Sequence, residues 1–128
     1  MSSMTERLDG AAITLSAACF VHCLILPIAA TALPILGIFA EAEWVHWVFV
    51  ALAIPTSLLS LRSGPSASRA LLVARLLACV GLLGLLLGAL GWPEHEWETG
   101  LTVAGGLTLA TGHGINLWRK SRVHKAHL

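Results

Sequence analysis

Charged residues occur along this chain in short islands that separate long apolar runs. Four stretches contain no Asp, Glu, Lys or Arg: residues 10–40, 44–61, 76–93 and 99–118. Crossing a bilayer takes a helix of about 20 mostly apolar residues, and the third run reaches that length if its helix starts near Ala70. The runs are rich in Leu, Ala and Gly and lack alternation of period two, which excludes membrane strands. The pattern predicts an all-α polytopic membrane protein, a four-transmembrane-helix bundle made of two helical hairpins. Its helices are expected over about 11–39, 44–62, 70–92 and 98–118, in one domain over residues 1–128. The clearest linker, Arg62-Ser-Gly-Pro-Ser-Ala-Ser-Arg69, divides the hairpins. The first run is too long for the apolar core of a signal peptide, so it is expected to be a retained helix.

Composition agrees with lipid as the main solvent. Of 128 residues, 56% are hydrophobic and 12% charged, about half the charged fraction of a soluble domain. The distribution of charge sets the orientation. Arg7 precedes the first run, Arg62, Arg69 and Arg75 flank the central link, and Arg119, Lys120, Arg122 and Lys125 follow the last run. The other two links hold Glu41 and Glu43, then Glu94, Glu96 and Glu98, with no basic residue. By the positive-inside rule the termini and the central link of this multi-pass chain are expected to be cytoplasmic. All five tryptophans, Trp44, Trp47, Trp92, Trp97 and Trp118, lie at predicted helix ends, as an aromatic belt requires.

One segment carries distinctive chemistry. In Cys19-Phe-Val-His22-Cys23 the three polar side chains are three and four residues apart and share a helical face. Two thiols and an imidazole in that arrangement can chelate a soft or borderline metal. A disulfide fits less well, because helical i,i+4 Cβ atoms are about 5–6 Å apart. A histidine inside a membrane is costly and marks function by default; structural packing and redox chemistry are the competing readings.

These residues resemble the MerC domain family. The resemblance rests on Cys19-x-x-His22-Cys23, followed by Leu-Ile-Leu-Pro27 and by Leu33-Pro34-x-Leu-Gly37; the hairpin links and Gly112-His113-Gly-Ile-Asn116 are similar too. It implies a four-helix inner-membrane protein that takes up mercuric ion through a cysteine pair in helix one, here Cys19 and Cys23. The chain departs from that pattern in having His22 beside the pair. It also ends in His124 and His127, in place of cytoplasmic cysteines.

Other polar groups are candidates to join the site. With a rise of about 1.5 Å per residue, His113 on the last helix reaches a depth close to that of Cys19. It is read as a fourth metal ligand or as a hydrogen-bonding partner of a neighbouring helix, with Asn116 as an orienting group. Cys79 faces lipid if the Gly81, Gly84 and Gly88 face packs inward. Glu43 and His46, one turn apart near the outer end of the second helix, form a possible entrance for a cation or sit at headgroup level. His124 and His127 belong to a basic tail suited to anionic lipid.

The expected function is transport or permeation of a thiophilic metal ion, mercuric, zinc or cuprous, with the bilayer as surroundings. The alternative is a non-transporting membrane protein that uses the same ligands for a static metal, for redox sensing, or for haem, with His22, His46 and His113 as axial candidates. No nucleotide loop, catalytic set or nucleic-acid face is present, so neither an enzyme nor a nucleic-acid partner is expected. Homo-oligomerisation is a further possibility, suggested by the glycine-rich third helix.

Overall fold

The computed structural model describes residues 2–40, 42–62 and 68–126, without the side chains of Ser2, Thr5, Cys19, Phe20, Cys23, Leu24 and Pro27. Glu41, His127, most of the central linker and the two thiol side chains therefore lie outside the described residues. The structure is all-helical, 92% helix, and the described residues contain no strand.

The first apolar run is not one rod. Helix α1 (Ser2–Phe20) passes into a π turn (Val21–Ile25), then α2 (Leu26–Ala32), a 3-10 turn (Pro34–Leu36) and the short α3 (Gly37–Ala40). The cause is in the sequence. Pro27 and Pro34 have no N–H to donate, so the Cys23 carbonyl lacks its ordinary partner four residues on, and the chain breaks at Leu33 with φ −129° and ψ 89°. The segment turns back on itself. As a straight helix, Phe39 would lie about 25 Å beyond His22, yet its carbonyl is 2.7 Å from the His22 ring.

Helix α4 (Glu43–Leu61) returns, followed by α5 (Arg69–Ala89) and, after a 3-10 turn (His95–Trp97), by the long α6 (Glu98–Ala126). Helices α4 and α5 are long and apolar enough to cross a membrane. Only 33% and 28% of the residues in their apolar stretches are buried; Leu58, Leu72, Val80 and Leu83 point outward. A Schellman motif ends α5: Trp92 N–H bonds the Leu87 carbonyl at 3.1 Å and Gly91 N–H bonds Gly88 at 3.0 Å, with Gly91 at φ 63°. At the other side of the bundle, Arg75 caps α4 by donating from Nε and one terminal nitrogen to the Leu61 carbonyl at 3.0 and 2.9 Å.

Helix α5 lies along α6, α1 packs on α6 and α4, and α4 packs on α5. The α5–α6 contact is glycine-mediated. A Cβ on Gly81 would stand 2.7 Å from the Gly105 carbonyl oxygen, and one on Gly105 would stand 2.8 Å from that of Gly81. Gly84 faces the same helix, so the glycine face packs inward and the Cys79 thiol is free and exposed. The apolar core is small: Val50, Ala53, Leu61, Ala74, Ala78, Leu85 and Leu109. Much of the remaining interior is polar, including Asp9, Ser57, Ser60, Thr102, His113 and Asn116.

Candidate functional site

Two polar clusters occupy opposite ends of the bundle. The first gathers around His22. The π turn sets this ring beside the doubled-back chain, where Nε2 donates to the Phe39 carbonyl at 2.7 Å. A carbonyl only accepts, so Nε2 carries the proton and, in the neutral ring, Nδ1 carries the lone pair. The ring meets His46 edge-on, with centres 5.3 Å apart at 84°, and Phe49 at 6.3 Å. His46 is buried in the first turns of α4, its Nδ1 2.7 Å from the Glu98 carboxylate at the start of α6. Glu98 also lies 3.4 Å from Nδ1 of the exposed His95. A cavity of about 530 Å³ opens beside this cluster, lined by Glu43, His46 and Glu98 together with Ala30, Gly37, Ala40 and Thr99.

The two entrance residues read from the sequence, Glu43 and His46, thus line one cavity. Glu98, which the sequence places in a solvated acidic link, is His46's partner. Pro27 and Pro34 were the signal for the fold-back that carries Phe39 to His22; the lengths of the runs alone concealed it. Among the described residues, no three His, Cys, Asp or Glu side chains form a group able to hold a metal. A chelate of three such side chains here must draw on one outside the described set, which includes Glu41 and the thiols of Cys19 and Cys23.

His113 belongs to the second cluster. It lies fully buried, with Nδ1 donating to Asp9 Oδ1 at 2.7 Å and Nε2 3.0 Å from Ser57 Oγ. Ser57 follows His46 by eleven residues on α4, about 16 Å along the helix. The structure therefore brings His22 and His46 together and holds His113 apart from them, hydrogen-bonded to neighbouring helices. Asn116, expected to orient a ligand, donates Nδ2 to both Asp9 oxygens at 3.1 and 3.0 Å. The Ser60 hydroxyl donates to Asp9 Oδ1, and Lys120 Nζ reaches Oδ2 at 2.7 Å. Arg119 donates to Asn116 Oδ1 at 3.0 Å. Asp9 is the organising residue of this cluster, and the sequence reading missed it. Its partners stand 51 to 111 positions away, so no local spacing exposes them. The available sign was one acid at the edge of an apolar run, with Lys120 at the matching end of the last helix.

Buried and half-buried polar groups of this kind are held only when their hydrogen-bonding capacity is met. The Asp9 carboxylate is met by hydrogen bonds within the protein, which tie α1, α4 and α6 together. The cluster around His22 differs: its His46 ring lines an open cavity with Glu43 and Glu98 on the wall, which suits that end to receive a cation. The family described as MerC mercury resistance protein matches residues 9–118. No curated protein sequence and no solved structure matches the chain. The family match takes in the first run, the Cys-x-x-His-Cys turn, both polar clusters as far as Asn116, and most of the chain; the chain belongs to the MerC mercury resistance protein family.

Proposed function

We propose that the protein admits a thiophilic metal ion, mercuric ion or a related soft or borderline cation, through the inner membrane by way of Cys19, His22 and Cys23. The metal is cargo. Four membrane passages place both termini and the central link in the cytoplasm, and the Glu43–His46–Glu98 cavity opens to the outside. The observation that carries this reading is the anchoring of His22. Metal-ligating histidines characteristically donate their second ring N–H to a carbonyl or carboxylate, and His22, inside the Cys-x-x-His-Cys turn, donates Nε2–H to Phe39 at 2.7 Å. The π turn adds support, since single π turns in helices concentrate at functional sites. The acidic residues of the cavity raise the local cation concentration. Thiolates then take the ion by ligand exchange, which suits passage better than a closed set of permanent ligands.

Titration in detergent tests the site. Replacing Cys19 and Cys23 together by Ser is expected to abolish stoichiometric mercuric binding and to remove metal accumulation by cells that express the protein. Binding to the unaltered protein should weaken as the pH falls, because thiolate and neutral imidazole are the ligating forms. Undiminished affinity in the double variant would place the site elsewhere.

A further inference from the structure

His46 stands outside the Cys-x-x-His-Cys motif, yet its geometry matches that of His22. Each ring has one nitrogen set against a fixed oxygen: Nε2 of His22 donates to the Phe39 carbonyl at 2.7 Å, and Nδ1 of His46 lies in ion-pair contact with Glu98 Oε1 at 2.7 Å. In the neutral His22 ring the lone pair is therefore on Nδ1. This is how carboxylates and carbonyls prepare histidines for a metal. The spacing fits as well. Zinc binds an imidazole nitrogen at about 2.0–2.1 Å, so the ion lies roughly 3 Å from the ring centre, and two rings sharing it at a tetrahedral angle have centres about 5 Å apart. The His22 and His46 centres are 5.3 Å apart.

We propose that His46 is a metal ligand alongside His22, that Glu98 is the residue that positions it, and that the resulting site takes a borderline divalent cation of the zinc class. The inference rests on the thiolate site proposed above and extends it. Cys19 and Cys23 with His22 and His46 make a set of two sulfurs and two nitrogens, the composition that tetrahedral zinc favours. Mercuric ion is satisfied by the two thiolates and draws little from the imidazoles. His46 therefore decides which ions the site retains, while the thiolates decide whether it binds soft metals at all. The cavity beside His46, with Glu43 on its wall, gives a hydrated divalent ion a route to the ring.

The experiment is a titration of the detergent-solubilised full chain with zinc and, separately, with mercuric ion, together with the absorption spectrum of its cobalt adduct. His46→Ala should lower zinc affinity at least 100-fold and leave mercuric affinity within about threefold; the retained mercuric binding also reports that the variant is folded. Glu98→Gln should lower zinc affinity between about 10- and 100-fold. It should also shift the cobalt ligand-field bands while preserving their tetrahedral intensity, a change that a purely structural role would not produce. Zinc affinity and cobalt spectra unchanged by His46→Ala would overturn the inference and leave the thiolate site intact. Unchanged affinity for both metals in the Cys19→Ser, Cys23→Ser variant would overturn the thiolate reading, and the four-ligand site with it.

Discussion

At the scale of single residues, the same side-chain chemistry is put to opposite uses. His113 and His46 are both buried histidines next to a carboxylate, but Asp9 is enclosed by protein whereas Glu98 borders a cavity. The enclosed pair is expected to matter for stability. Asp9→Ala leaves the Lys120 ammonium, whose side chain is 9% exposed, without its carboxylate and strips acceptors from His113 and Asn116. Losing one partner of a buried pair costs about 3–5 kcal/mol. Unfolding of the solubilised protein with increasing denaturing detergent should reveal a loss of that order, while adding Lys120→Met to Asp9→Ala should recover part of it. A variant as stable as the parent would show that the Asp9 cluster is dispensable. Placement was legible where the signature was local: Glu43 and His46, three apart, line one cavity, and Cys79 is exposed opposite the packed glycines. Asp9 and Glu98 were not, because their meaning comes from helices distant in the chain.

Elements were legible in kind more than in course. Apolar runs without alternation gave helices, and α4 and α5 lie close to the expected positions. The first run was read from its lack of charge, which says nothing of direction; Pro27 and Pro34 redirect it through the backbone donors they lack. The close approach of α5 and α6 was foreshadowed by glycines, and its tightness can be tested. Gly105→Ala places a methyl group 2.8 Å from the Gly81 carbonyl, against backbone that cannot swing aside. Overpacking of this sort costs about 1–3 kcal/mol. Gly106→Ala, one position along, meets nothing within 4 Å and should be neutral or slightly stabilising, since alanine restricts the unfolded chain. Paired unfolding measurements check the contrast, and equal effects at the two sites would contradict the packing.

For the whole molecule, the charged groups part to two ends: Lys120 and Asp9 hold one end of the bundle, and Glu43, His46 and Glu98 gather at the other. Reporter fusions after residues 65 and 128 should register the cytoplasm, and fusions in the two Glu-bearing links the exterior; a C-terminal reporter found outside would invert the proposed direction of metal entry. The Asp9 cluster also bears on how the chain is made. Asp9 leaves the ribosome before His113, Asn116 and Lys120. A carboxylate that needs those partners must wait for them in water or at the lipid headgroups while the intervening helices are inserted. Helix α1 gains these contacts only once α6 has been made, so its final packing waits for the synthesis of α6.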